Sequence, residues 1–334
     1  MTQRNRKIVF SLGEENFKYL ILEKRDKKFH FIHADNTQLD HLLVENFSLQ
    51  EDFLGPILKK IQKEFPFRES HLLLPYRYFH FDQLNLKREK KKGNPEKILK
   101  KYLEENIIKI PWVKTHAYEK DFFIEKNHIK VIFSLLKQEQ YRALRDFFQK
   151  YKFSLKTIYP DIFAIIPFLS KSLGEKFFYL FVDKQETYLF FIESGKIQSY
   201  KKFAFSYDLL LQEIMKEMNF SPNQAKSFLQ EKAFSFSEEH KQLSRNIEKK
   251  MQPLIRYLLN LKNEKSYPLF VQWRDEKISL FSKRLAHIVP HPVVDDFSLF
   301  NETSVEHHFA LHKKDFSRYE FLLARAMKLF QEKK

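Results

Sequence analysis

Near the amino terminus, apolar and polar residues alternate in three short runs, 7–12, 17–24 and 28–33. Turn signals separate these runs at Gly13 and at Asp26. Alternation with a period of two is typical of strands that bury one face. The pattern predicts a three-stranded antiparallel meander at the start of the fold.

Helical and strand patterns alternate after the meander. Residues 49–65 carry apolar side chains at helical spacing and end before Pro66, which predicts an amphipathic helix. The apolar run 71–74 stops at Pro75 and predicts a strand buried in a sheet. Further along, the same reasoning predicts strands at 78–84, 130–135 and 154–158 and helices at 96–107 and 137–150.

The opening pattern occurs a second time along the chain. Runs 177–183, 187–193 and 196–202 read as strands, with a turn at Ser194–Gly195, and 207–218 reads as the helix that follows. A repeat at a period of about 170 residues indicates two related lobes. The sequence therefore predicts an α/β protein with two lobes and a cleft between them.

Composition limits the compartment and the chemistry. The apolar runs fall short of the roughly 20 residues that cross a bilayer, and the first residues lead into a strand pattern without a signal peptide. We therefore expect a cytoplasmic protein. The chain has no cysteine, which excludes disulfides, zinc–thiolate sites and thiol nucleophiles.

The formal charge of +16 favours an anionic partner, namely nucleic acid, an acidic protein face or the inner leaflet of a membrane, unless it is simply a solvated surface. The basic run 87–97 has neither a reading helix nor stacking aromatics beside it. We interpret it as a solvated loop, and nucleic acid as an unlikely partner.

No pattern of catalytic residues stands out. The chain has five glycines and contains neither a Gly-x-Ser-x-Gly elbow nor a Walker loop. The histidines at 291, 307 and 308 and the aspartates at 295 and 296 lack the spacing of metal ligands, and we interpret them as surface or loop residues. The residues therefore give no support to an enzyme.

Several segments, taken in order, resemble one family over nearly the whole chain. Residues 11–18 read SLGEENFK, where that family carries a first phosphate loop of the type Asp-Ile-Gly-Ser-Ser-Ser-Val-Lys, and only Gly13 and Lys18 match. LLLP at 72–75, YPDIFA at 159–164 and NFSPNQAK at 219–226 are similar to further family segments. The chain resembles PilM, the cytoplasmic actin-like component of type IV pilus machines.

The resemblance implies a two-lobed actin-like (ribonuclease-H-like) α/β fold with a small inserted subdomain. The first lobe would comprise 1–75 and 153–175, with a helix at 315–334 returning to it. The inserted subdomain would be 76–152 and the second lobe 176–314.

The resemblance also marks a degenerate nucleotide site. Ser11 and Phe181 stand where carboxylates are expected, and Trp273 stands near an expected Gly-Gly pair. Glu14 would lie beside a triphosphate, where one like-charge contact at about 4 Å costs about 1 kcal/mol in water and about 4 kcal/mol at an effective dielectric of 20. We expect no ATP or magnesium binding and therefore a pseudo-ATPase. The affected positions are Ser11, Gly13, Glu14, Lys18, Phe181, Asp183, Thr187 and Trp273.

A PilM-like protein would bind the cytoplasmic tail of a membrane-anchored PilN-like partner, contact a motor ATPase and lie at the periphery of the anionic inner membrane. For the groove that holds the tail, we predict Tyr76, Tyr78 and Phe79. Three alternatives remain open: a GspL-like component of a type II secretion platform, a basic nucleic-acid-binding protein, and a true ATPase with unusual loops.

Overall fold

The structure is a computed structural model that describes residues 6–13, 16–25, 28–38, 51–65, 69–87, 97, 101, 105, 120–124, 128–230, 240–261, 267–273, 279–294 and 305–306. Glu14, nearly all of the basic run and the predicted helix at 315–334 lie outside the described residues. The chain divides into two compact units, Met1–Phe168 with Ser298–Lys334, and Leu169–Phe297. The division predicted from the sequence lay 7 and 17 residues later, after residues 175 and 314.

The first unit is built around a mixed six-stranded sheet. Its elements are β1 (Arg6–Leu12), β2 (Asn16–Arg25), β3 (Lys28–Gln38), α1 (Glu51–Glu64), β4 (Glu69–Leu74), a 3-10 turn (Tyr76–Tyr78), β5 (Phe79–Lys87), β6 (Lys120–Ile124), β7 (His128–Leu136), α2 (Gln138–Lys150), β8 (Ser154–Pro160) and the start of α3 (Asp161–Leu173). A short strand near the end of the chain, β14 (Val305–Glu306), completes it.

The strand order in this sheet is β14-β3-β2-β1-β4-β8. Strands β1, β2 and β3 are antiparallel neighbours, which confirms the predicted opening meander. Strand β4 runs parallel to both β1 and β8. A separate antiparallel sheet, β5-β7-β6, lies within the predicted inserted segment 76–152.

An aromatic cluster forms the centre of the first core. Phe10 of β1 is fully buried, and its ring centroid lies 5.7 Å from that of Phe17, 5.1 Å from that of Phe148 and 5.1 Å from that of Phe153. Ring pairs at these separations add to the stabilisation from apolar burial alone. The cluster therefore packs β1 and β2 against α2 and the start of β8.

Helix α1 packs closely against the end of α2. A Cβ atom at Gly55 would lie 2.5 Å from the hydroxyl oxygen of Tyr151, so the glycine allows the close approach. That hydroxyl donates to Glu51, which also pairs with Lys150. The hydrogen bonds from Lys150 and Tyr151 hold the pKa of Glu51 below its ordinary value.

The second unit repeats the meander. It contains β9 (Lys176–Val182), β10 (Thr187–Glu193), β11 (Lys196–Phe203), α4 (Tyr207–Met218), α5 (Pro222–Gln230), α6 (Lys241–Asn260), β12 (Leu269–Trp273), α7 (Ser279–Ile288) and β13 (Val293–Val294). The strand order is β11-β10-β9-β12-β13, with β9, β10 and β11 antiparallel and β12 parallel to β9. The predicted second meander is confirmed.

Local residue choices fix the ends of these elements. Ser194 and Gly195 both have positive φ (51° and 74°), which suits the two-residue turn that joins two twisted strands. Ser206 caps α4 by accepting the amide of Leu209, and α4 ends at Asn219 in the left-handed conformation. Ser221 and Gln224 exchange side-chain to backbone hydrogen bonds at the start of α5, which is a capping box.

Candidate functional site

In open α/β sheets, ligands bind beyond the carboxyl ends of the parallel strands. The strands next to the two hairpins that are parallel to one another are β1, β4 and β8 in the first unit and β9, β12 and β13 in the second. The two phosphate-loop positions predicted from the sequence lie at the carboxyl ends of two of these strands, after β1 and after β9.

A backbone hydrogen bond closes the turn of the β1–β2 hairpin in the first unit. The amide of Gly13 donates to the carbonyl oxygen of Asn16 over 2.7 Å. A Cβ atom at Gly13 would lie 2.4 Å from Oδ1 of Asn16, so the glycine makes room for that side chain. Ser11 and Lys18 are register partners across the hairpin, and both are half-buried.

A buried carboxylate secures the carboxyl end of β4. Asp161 begins α3, and its Oδ1 accepts the amide of Tyr76 over 3.1 Å and that of Ile162 over 2.7 Å. Carboxylates that accept backbone N–H groups form strong, charge-assisted hydrogen bonds. Asp161 therefore fastens the turn after β4 to the first turn of α3.

Two of the three residues predicted for the partner groove are buried. Tyr76 and Phe79 are 1% and 6% exposed, and the ring of Tyr76 lies 6.0 Å from that of Phe81 inside the first unit. Core packing therefore explains both aromatics. Tyr78 is half-buried, with the guanidinium of Arg77 5.4 Å from its ring centroid, and remains a candidate.

The β9–β10 hairpin uses its amides internally. The amide of Asp183 donates to the carbonyl oxygen of Glu186 over 2.9 Å, and the amide of Lys184 donates to Oδ1 of Asp183 over 2.8 Å. The carbonyl oxygens of Asp183 and Lys184 accept the amides of Tyr207 and Asp208 at the start of α4. The hairpin is thereby attached to the helix by two backbone hydrogen bonds.

The polar side chains of this hairpin are also engaged. The fully buried hydroxyl of Thr187 donates to the carbonyl oxygen of Phe205 over 2.6 Å. Glu186 accepts the hydroxyl of Tyr188 over 2.5 Å and pairs with Lys202. These bonds hold the hairpin in a single arrangement.

Three aromatic side chains lie beside this hairpin, and we call Phe205, Tyr207 and Trp273 the aromatic cap. Trp273 ends β12 and is the register partner of Val182 at the end of β9. Its ring meets those of Phe205 and Tyr207 edge to face, with centroids 6.4 Å and 6.5 Å apart. The cap therefore lies at the carboxyl end of β12, next to that of β9. Phe205 and Tyr207 were not predicted as site residues. The signal in the sequence is that they flank Ser206, the N-cap of α4.

The two hairpins aligned with the phosphate loops have matching strand positions, since Ser11 is the sixth residue of β1 and Phe181 the sixth residue of β9. Phe181 lies inside β9 and is fully buried, whereas the first residue after the strand is Asp183. A carboxylate is therefore present in this hairpin. It is 2% exposed, and one of its oxygens accepts the Lys184 amide.

The described residues offer little else for chemistry. Within them, no group of three or more His, Asp or Glu side chains could hold a metal ion. His291 lies in the loop between α7 and β13, as predicted, but its side chain is buried, with its ring nitrogens 3.3 Å from the carbonyl oxygens of Tyr267 and Leu258. The other histidines and aspartates considered above, at 295, 296, 307 and 308, lie outside the described residues.

No helix in the described part of the chain has both the length and the hydropathy needed to cross a bilayer. No family model matches the sequence, and no curated protein matches it. Several solved structures do match the fold.

A chain in the solved PilM–PilN type IV pilus biogenesis complex aligns over 96% of this chain and 98% of its own length, with a TM-score of 0.70 and 12% identity. The cytoplasmic domain of EpsL, an inner membrane component of the type II secretion system of Vibrio cholerae, aligns over 95% of both chains with a TM-score of 0.42 and 10% identity. The ethanolamine utilization protein EutJ from Carboxydothermus hydrogenoformans covers 86% of this chain and 83% of its own at 11% identity, with a TM-score of 0.42. The first likeness confirms the predicted actin-like α/β fold class.

Proposed function

We propose that this chain is a non-enzymatic scaffold of a type IV pilus or related secretion machine, on an actin-like fold whose nucleotide site is closed. It is cytoplasmic, lies at the periphery of the inner membrane and binds the cytoplasmic tail of a membrane-anchored PilN-like protein. The observation that carries the loss of nucleotide binding is the β9–β10 hairpin, whose described hydrogen bonds join it to itself and to α4.

A phosphate loop binds its ligand through backbone N–H groups that point into the site, and glycines let the backbone approach closely. The hairpin 183–186 contains no glycine, and the amides of Asp183 and Lys184 already have acceptors. The first amides of α4, at Tyr207, Asp208 and Leu209, are likewise used. A phosphate that bound through these five amides would have to displace these bonds, each of which contributes about 0.5–1.5 kcal/mol.

The aromatic cap also opposes nucleotide binding. Trp273 is 8% exposed and belongs to the core cluster of the second unit, so its indole fills space in which an adenosine would need an opening. In the first unit, Gly13 already donates its amide to Asn16. The two hairpins and the cap therefore support the same proposal from three separate places.

The role in a pilus or secretion machine rests on the fold shared with a chain of the PilM–PilN complex. That likeness supports the choice of a PilN-like tail as the partner. Contact with a motor ATPase is the second interaction that we propose, because a scaffold of this kind joins the membrane components to the motor.

Calorimetry with MgATP tests the loss of the nucleotide site. We expect no binding heat for the purified chain, and no rise in its thermal midpoint at about 1 mM nucleotide, because a ligand that binds only the folded state would raise it. Saturable binding with a micromolar dissociation constant would contradict the closed site and favour the true-ATPase alternative. MgADP and MgGTP serve as further ligands in the same assay.

Titration with a fluorescent peptide of the PilN tail from the same organism tests the partner. We expect saturable binding by anisotropy, and a peptide of identical composition in scrambled order should not bind. If the native and scrambled peptides bind with the same affinity, or neither binds, the assignment of the partner is wrong. This conclusion does not depend on whether ATP binds.

A further inference from the structure

The longest described helix, α6, carries a row of cationic side chains on its outer face. Its inner face belongs to the second core and includes buried Leu243, Ile247, Met251, Leu254 and Leu258. On the opposite side, Lys241, Arg245, Lys249 and Arg256 are all exposed. We call these four residues the α6 cationic row.

Helix geometry aligns the row. The spacings of four, four and seven residues keep all four side chains within about 80° around the helix axis at 3.6 residues per turn. At a rise of 1.5 Å per residue, the row is about 22 Å long. The cations therefore face one direction along most of the helix.

The row is not neutralised by its own helix. Glu248 is the only acidic residue of α6, and it binds Arg284 through a 2.6 Å hydrogen bond. Lys250 lies on another side of the helix, where it pairs with Glu213 at 3.7 Å. Within the described residues, Arg245, Lys249 and Arg256 form no ion pair.

The residues between the cations indicate the kind of partner. The other exposed positions between Lys241 and Arg256 are Gln242, Lys250 and Pro253, and the first large apolar side chain exposed on this helix is Leu259, beyond the row. Specific protein interfaces depend on buried apolar or aromatic anchors, and single-stranded nucleic acid needs stacking rings. Clustered cations without such anchors match the electrostatics of an anionic membrane surface.

We infer that the α6 cationic row is a binding site for the anionic phospholipid headgroups of the membrane. The inference rests on the proposed function in one respect, because a PilN-like tail would bring the chain close to that surface. Contact through the row would then orient the second unit with the outer face of α6 towards the membrane.

Vesicle co-sedimentation tests the inference. The full chain is mixed at about 100 mM salt with vesicles of phosphatidylcholine containing about 30% phosphatidylglycerol, and with pure phosphatidylcholine vesicles. We expect binding only to the anionic vesicles, and a roughly 100-fold weaker affinity for the triple variant R245Q/K249Q/R256Q. The matched control K59Q/K60Q/K63Q removes the same charge from exposed lysines of α1 and should change the affinity by less than about threefold.

Three results would overturn the inference. The first is equal loss in both triple variants, which would mean that only net charge matters. The second is unchanged vesicle binding in the α6 variant. The third is that the wild-type chain does not bind anionic vesicles. This includes the case in which the wild-type chain binds a short DNA duplex through the row and does not bind the vesicles.

Two controls keep these outcomes interpretable. Circular dichroism and the thermal midpoint establish that both variants fold, as expected for substitutions at exposed positions. Tail-peptide binding is measured on the same proteins, because a chain that binds the tail but not the vesicles refutes the membrane site and leaves the proposed function standing.

Discussion

Replacement of Trp273 with alanine should lower the free energy of unfolding by about 3–5 kcal/mol and still leave the chain unable to bind ATP. The loss of stability follows from removing a large buried ring that packs against Phe205 and Tyr207. The continued failure to bind follows from the hairpin, because the amides of Asp183 and Lys184 keep their acceptors when the indole is gone.

Urea unfolding and MgATP calorimetry on W273A measure the two parts of this prediction. W273F is the control, since it retains an aromatic ring and should cost clearly less stability than alanine. If W273A instead bound ATP with micromolar affinity, bulk alone would be closing the site and the hairpin amides would be competent. That outcome would refute the argument from the hydrogen bonds.

Replacement of Phe10 with alanine should also cost about 3–5 kcal/mol of unfolding free energy. Phe10 is fully buried, and its ring meets Phe17, Phe148 and Phe153 with centroids 5.1–5.7 Å apart, so its removal leaves a cavity lined by rigid rings. Urea denaturation followed by circular dichroism gives the change. The loss should appear in the midpoint of the transition.

Phe53 provides the matched control for this measurement. It is the same residue type on α1, but 55% of its side chain is exposed, so F53A should change stability by about 0.5 kcal/mol or less. Similar values for F10A and F53A would contradict the assignment of Phe10 to the core. A cost of less than about 1 kcal/mol for F10A would do the same.

Much of the fold could be predicted because the strands of each meander are apolar runs that end at clear turn residues. The first two strands were predicted to within a residue or two of their bounds. Strand β3 runs five residues beyond its predicted end, since cross-strand pairing with β2 carries polar Asp35 and Asn36 into the sheet. Here pairing outweighed the low strand propensity of these two residues.

Other elements escaped prediction for different reasons. Strand β6 (Lys120–Ile124) is short and exists through its pairing with β7, a contact that a local pattern does not indicate. Helix α6 was also not predicted, although Leu243, Ile247, Met251 and Leu254 have helical spacing.

The candidate site shows the limit of sequence reading most clearly. Residues 177–182 are buried on both faces of the sheet, so the apolar run has no alternation to show which side chains lie on which face, although its end was predicted within one residue. The hydrogen bonds that close the hairpin 183–186 have no counterpart in that pattern. The buried state of Tyr76 was equally hidden, because aromatics after a proline can line a groove or fill a core.

The discontinuity of the first unit has a consequence for how the chain is made. On the ribosome, all residues of the second unit emerge before β14, whereas the sheet of the first unit gains this parallel neighbour of β3 only when residues 305–306 appear. The second unit can thus fold while synthesis continues. Until β14 is made, the backbone N–H and C=O groups on the outer side of β3 lack this strand partner. During that interval β3 is an open sheet edge to which a second nascent chain could add a strand.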